Sequence, residues 1–448
     1  MVVTLFVTLL ITTLLLVIYN KILFIPCIML LSSISPIIEK LTDDTMFGAN
    51  WNTINFYRAW PEFAISLWLT ALMVVFIFIK KYKFKIINKY LLLWGCTTFI
   101  LLWTSTDISR SFIAFIAGIF NPIESYLLVV LLYGSLIQHK QIEITRVVTL
   151  GAISFIIIGM CALYYLGGFN DIQTNNFVAL RSKTGVWLGN HGVQCMLLLS
   201  PFIFNLQKNP LKILYIVLLV FSCLAGTSRT SLFLIFLSFA IFIVKSNKFK
   251  YNYMIGVLLF ILLLNSTTDY LDFVQNRFSS DGEGVYKATV SDDRYFIFTE
   301  AFDAALQTPL VGIGLGNFTL FNSYNFSDAH NIYLSIFVET GIFCFLFFII
   351  MLLEIIFTKV KNSESRYLKY GFVLFMLNGF TGSQFFTISG FVSGIMGITF
   401  CITLALFNLY NALPTSWGTI DRLTGDLDKG PPLMRNLPRP NRARRSFE

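Results

Sequence analysis

Thirteen apolar segments run through the chain, near residues 2–18, 22–37, 62–79, 87–105, 111–136, 147–167, 191–206, 211–226, 229–244, 251–265, 331–357, 368–382 and 388–411. A helix needs about 20 apolar residues to cross a bilayer, and most of these segments approach that length. With 56% of 448 residues hydrophobic and 13% charged, a soluble domain could not hide so much apolar surface. The expected fold is an all-α polytopic membrane protein of about 12 (12–13) transmembrane helices. The first two segments share only Tyr19-Asn20-Lys21, so they form a tight hairpin or one long bent helix. The N-terminal segment lacks a basic n-region and a convincing cleavage site, and reads as a retained span.

Lysine and arginine alternate between connections. The loops at 80–90, 137–146, 207–212, 245–250 and 358–369, with the tail after 412, hold 23 of the 33 basic residues, and Lys21 makes 24. The positive-inside rule makes these cytoplasmic. The 63-residue interval 267–329 then faces outward as one large periplasmic loop. Topology accounts for the net charge of +9, so no nucleic-acid partner is expected. All seven cysteines lie within apolar segments, where they read as small packing residues. Three separated histidines and no cysteine pair at zinc spacing argue against a metal site, and no cofactor is expected. No repeat at a fixed period stands out, which gives little support to an inverted-repeat transporter. The expected organisation is a transmembrane domain over 1–412, the loop 267–329 within it, and a disordered basic cytoplasmic tail over 413–448.

The outward loop carries the chemistry-bearing residues. Residues 292–307 repeat apolar positions at helical spacing behind Asp292 and Asp293, and Pro309 stops that helix. Gly312, Gly314 and Gly316 then give a tight turn that lets backbone approach a ligand or a neighbouring helix, with Asn317 behind it. His330 stands where the loop re-enters the membrane. An unperturbed imidazole titrates near about 6.5 and can take a proton from a sugar hydroxyl; the plainer reading is a helix-terminal residue bonded to its loop. Arg229, Arg294 and Arg181 border the same face, where few basic residues fall. Guanidinium forks match phosphate geometry, although interface anchors reaching headgroups look the same. Glu339 lies nine residues past His330, on the opposite side of one continuous helix, and reads as structural. Glu124, a carboxylate inside a span after Pro122, is a functional candidate by position whose role stays open, at a depth far from the loop.

The run Pro309-Leu310-Val311-Gly312-Ile313-Gly314-Leu315-Gly316-Asn317-Phe318, followed by His330-Asn331-Ile332-Tyr333-Leu334 and Glu339-Thr340-Gly341, resembles the signature of the O-antigen polymerase and O-antigen ligase superfamily. Thr227-Ser228-Arg229 looks like its upstream arginine motif, and Arg294 like its loop arginine. The resemblance is specific over about 226–345. It implies a metal-independent glycosyltransferase of the C-type membrane architecture in the bacterial inner membrane, with its site facing the periplasm. The substrate implied is an undecaprenyl-diphosphate-linked oligosaccharide presented in the lipid bilayer. By family analogy His330 is the general base, and Arg229 and Arg294 hold the diphosphate. Polymerase and ligase differ in acceptor: the next lipid-linked repeat unit, or lipid A–core. Only 12 residues separate Asn317 from His330, little room for an acceptor-docking subdomain, which tips the reading toward polymerase. A chain-length regulator protein is then a possible partner. A lipid-linked oligosaccharide flippase is the alternative from another class, disfavoured because the suggestive groups gather on one membrane face.

Overall fold

The computed structural model describes residues 2–42, 56–84, 87–134, 137, 141–165, 168, 170, 190–204, 210–225, 233–235, 237–238, 286–322, 329, 331–380 and 391–413. Among them the fold is all-helical, with no strand. Thirteen α-helices carry it: α1 (Val2–Tyr19), α2 (Phe24–Thr42), α3 (Phe56–Val74), α4 (Lys89–Leu101), α5 (Ile108–Phe115), α6 (Asn121–Tyr133), α7 (Gln141–Tyr165), α8 (Asn190–Phe204), α9 (Pro210–Ala225), α10 (Tyr286–Gln307), α11 (Ile332–Phe357), α12 (Ser363–Gly379) and α13 (Phe391–Ala412). Among the described residues, six stretches are long and apolar enough to cross a membrane: Val2–Tyr19, Trp60–Ile79, Ile108–Tyr133, Ile144–Tyr165, Ile332–Phe357 and Gly394–Ala412. Four shorter apolar helices accompany them, Lys21–Ser35, Lys89–Thr104, Cys195–Phe204 and Pro210–Val220. The spans expected at 229–244 and 251–265 lie outside the described residues, save for short helical pieces at 233–235 and 237–238.

The first two apolar segments form separate helices. Asn20 leaves the helical region, its side chain accepts from the Ile22 N–H at 3.3 Å, and a 3-10 turn at Lys21–Leu23 leads into α2. A π-turn at Ile116–Phe120 joins α5 to α6 without a break, so that one rod runs from Ile108 to Tyr133. That rod and α13 form the centre, each 83% buried along its apolar window, while the α1 window is only 22% buried and faces outward from the bundle. Close backbone contact is bought at α12 by Gly371, where a Cβ would run into the Leu198 carbonyl of α8, the small-residue device by which membrane helices pack closely.

Two helices matter most for the site. α4 and α11 pack side by side, linked at one end by Asn88, whose Nδ2 donates to Glu354 Oε2 at 3.3 Å. Asn88 also caps α4, accepting from the Tyr90 and Leu91 N–H groups at 3.0 Å each. Near the middle Thr98 Oγ1 meets Cys344 Sγ at 3.4 Å. At the far ends of both helices sits the glycine-rich turn.

Candidate active site at the glycine-rich turn

The expected helix over 292–307 is α10, which begins earlier, at Tyr286. It ends at Gln307, and the chain then folds onto a break in α11. That break is at Gly341, with φ 71° and ψ 179° in the middle of an otherwise helical stretch. A break deprives nearby carbonyls and amides of their helical partners, and inside lipid such groups must be satisfied by protein. The turn supplies the partners. Ile313 N–H donates to the Val338 carbonyl at 2.9 Å and Gly314 N–H to the Glu339 carbonyl at 3.0 Å. In return Ile342 N–H donates to the Pro309 carbonyl at 2.9 Å.

Glycine is required on both sides of this contact. Gly312 has φ 74°, and a Cβ there would lie 2.5 Å from the Glu339 carbonyl carbon. A Cβ on Gly341 would run into the Leu310 carbonyl. The spacing of Gly312, Gly314 and Gly316 thus serves a backbone-to-backbone dock in which all three glycines have positive φ. Glu339 completes it: its Oε2 accepts the Gly316 N–H at 3.1 Å, with the carboxylate buried. α11 begins at Ile332 and is interrupted at Gly341, so position 330 precedes the helix and a helical-wheel separation between 330 and 339 does not apply.

The turn is clamped from its other side by the start of α5. Thr106 N–H donates to the Ile313 carbonyl at 3.2 Å, and Ser111 Oγ to the Leu315 carbonyl at 3.0 Å. Asn317 Nδ2 donates to the Ile313 carbonyl at 3.0 Å and to Ser111 Oγ at 3.3 Å. Asp107 caps α5, accepting from the Arg110 N–H at 3.0 Å. The buried Arg110 side chain crosses to the turn, where its Nη1 donates to Thr319 Oγ1 at 2.6 Å while its Nε lies 3.7 Å from Asp107 Oδ2. Arg110 and its neighbours were not singled out by sequence. The available signal was its place among the few basic residues of the expected outward connections.

On the α11 side, Asn331 is the N-cap, accepting from the Leu334 N–H at 3.0 Å. Ala329 N–H donates to Ser335 Oγ at 3.3 Å, so the residues flanking position 330 are both bonded to the first turns of α11. Tyr333 ties this end to α12, its hydroxyl donating to the Met376 carbonyl at 2.8 Å. Of the expected site residues, Gly312, Gly314, Gly316, Asn317, Glu339 and Gly341 are brought together here, and Asn331 caps the start of the helix that carries Glu339 and Gly341. Arg294 lies on α10, with its side chain outside the described residues. His330, Arg229 and Arg181 also lie outside them.

Glu124 is elsewhere. Along the continuous rod it is 13 residues beyond Ser111, about 20 Å of helix rise. There it accepts from Thr70 Oγ1 at 2.7 Å and Ser66 Oγ at 3.5 Å. A second carboxylate, unnoticed in the sequence, lies on the same α3–α6 seam. Buried Glu62 accepts from Ser35 Oγ at 2.9 Å and Asn121 Nδ2 at 3.2 Å.

A search of curated proteins finds no match to this chain. The profile of the O-antigen ligase family matches residues 214–349, a stretch that starts in α9, contains α10 and the docked glycine turn, and ends within α11, so over this stretch the chain is similar to the O-antigen ligase family and to the polymerase and ligase superfamily its motifs resemble.

Proposed function

We propose that the protein is a membrane glycosyltransferase that polymerises O-antigen. It would join undecaprenyl-diphosphate-linked oligosaccharide repeat units at the periplasmic face of the inner membrane. The observation that carries this reading is that the family match runs through the glycine turn and its dock on α11, with both neighbours of position 330 bonded into the start of α11. A base at 330 would therefore be held on a rigid support, as pre-organised catalysis requires.

In this reading His330 takes the proton of the acceptor hydroxyl, and the oxygen attacks the anomeric carbon. The bond to the diphosphate breaks on the opposite face, giving inversion, and undecaprenyl diphosphate leaves. Arg229 and Arg294 offset the charge that develops on the leaving group, with Arg181 adding a contact to the substrate. No protein nucleophile and no metal are needed. The short interval of 12 residues between Asn317 and His330 favours a polymerase. The ligase reading, transfer to lipid A–core, is favoured by the description of the matching family.

The deciding experiment is the lipopolysaccharide banding pattern of a deletion strain complemented with the wild-type or His330→Ala gene. Core bearing a single repeat unit supports the polymerase. Bare core, with long chains accumulating on the lipid carrier, supports the ligase. A deletion strain with a wild-type ladder overturns both, and a fully active His330→Ala removes the base assignment.

A further inference from the structure

α10 lies within the interval expected to face water, yet its described half has three distinct faces. Ile297, Ala301, Ala304 and Ala305 are buried and pack against the neighbourhood of Val338 on α11. Asp303 and Gln307 are exposed on a second face, which they share with Phe296, exposed by 47%. Between these faces runs a stripe at i, i+4 and i+8: Phe298, Phe302 and Leu306, exposed by 36%, 52% and 58%. Leu310, just past the helix, is exposed by 57%. Such an apolar stripe is costly in water and is a sign of a protein or membrane contact.

The position of α10 identifies what covers it. Pro309 is bonded to Ile342, and from Ile342 to Phe357 α11 advances by 15 positions, about 22 Å of helix rise. Phe357 is exposed and ends the apolar run, with Lys359 and Lys361 just after it, which sets the edge of the apolar zone there by the same reasoning that reads basic loops as lying outside lipid. The hydrocarbon layer is about 30 Å thick, so the bond between Pro309 and Ile342 lies roughly 8 Å inside its opposite edge. The neighbouring helix gives a similar depth: from Asn88, linked to Glu354, up to Thr104 is 16 residues, about 24 Å. Leu306 lies within four residues of Leu310, and Phe302 is one turn of α10 further, about 6 Å of helix rise, so a tilted α10 keeps both within reach of the apolar layer. Below the turn α11 also exposes an apolar side, at Phe343, Leu346 and Leu353.

We propose that the Phe302–Leu306–Leu310 face of α10 is seated in the acyl chains of the leaflet opposite Lys359 and Lys361. The glycine-rich turn is then the floor of a site sunk below the headgroups. Asp303 and Gln307 mark the side of α10 turned away from lipid. This placement depends only on the chain being a membrane protein and stands whether or not it transfers glycans.

The test is spin-label accessibility in nanodiscs. Single cysteines at 302, 306, 303 and 307 are introduced into a cysteine-free chain, labelled, and probed with oxygen, which concentrates in lipid, and with a water-soluble nickel chelate. Labels at 302 and 306 are expected to respond several-fold more to oxygen than to the chelate, and labels at 303 and 307 the reverse. Equal chelate access at all four sites overturns the proposal, because the face is then in water. Protection of 302 and 306 from both probes also overturns it, because protein, such as a second copy, then covers the stripe. A second measurement uses the native chain. Leu306→Asp is expected to lower the yield of folded protein in membranes several-fold, whereas Asp303→Asn leaves it unchanged; equal yields overturn the proposal.

Discussion

The N–H of Ile342 donates to the carbonyl of Pro309 at 2.9 Å, joining the end of α10 to the helix break at Gly341. This contact has no room for a side chain on Gly341, whose backbone lies in a region open almost only to glycine. Gly341→Ala is expected to destabilise the protein by about 1–3 kcal/mol through backbone strain alone, before the clash with Leu310. Thermal unfolding in detergent should shift down by several degrees, and the proposed glycan transfer should fall with it. An unchanged unfolding temperature would mean that the break at Gly341 is not needed.

The glycine spacing at 312, 314 and 316 told that a tight turn exists and that backbone would come close to something. It could not tell what. The partner is a break in a helix that reads as one unbroken apolar run from 331 to 357, and apolar periodicity carries no sign of a single residue with positive φ. The same limit hid Arg110. Its bond to Thr319 spans 209 positions, and in one dimension Arg110 is only an isolated basic residue in a short connection. Glu62 went unremarked because it stands at the edge of an apolar segment, with its partners Ser35 and Asn121 on other helices. The helical character of the described residues was readable in the sequence, since lipid leaves apolar segments few alternatives.

Glu339 is a hydrogen-bond acceptor for the turn, and this role needs an oxygen and not a charge. Glu339→Gln keeps an amide oxygen within reach of the Gly316 N–H and is expected to hold the turn better than Glu339→Ala. Glu339→Ala leaves a buried amide unpaired and should cost about 1–3 kcal/mol. Thermal unfolding of the two variants separates the cases. Equal loss in both would show that the carboxylate charge, and not its acceptor role, holds the turn.

Arg110 and Thr319 should be energetically coupled. Arg110 is buried and donates to Thr319 at 2.6 Å across the junction between α5 and the turn. Arg110→Met and Thr319→Val are each expected to lower stability, and the double variant to be less damaged than their sum. A double-mutant cycle should yield about 0.5–3 kcal/mol of coupling. Strict additivity would mean that the two side chains do not cooperate in holding the turn.

The carboxylates on the α3–α6 seam are predicted to act as packing groups, apart from glycan transfer. Their described partners are all neutral: Ser35 and Asn121 for Glu62, Ser66 and Thr70 for Glu124. A carboxylate inside lipid is otherwise a first suspect for function, and the distance of about 20 Å along the rod from Ser111 to Glu124 separates it from the turn. Glu62→Gln and Glu124→Gln preserve shape and acceptors, and both should retain folded yield and a wild-type polysaccharide pattern. Glu62→Leu strands the Ser35 hydroxyl and one donor of Asn121, with an expected loss of about 1–3 kcal/mol. Normal folding of Glu124→Gln with abolished glycan synthesis would give that carboxylate a functional role and place a second working site in the body of the bundle.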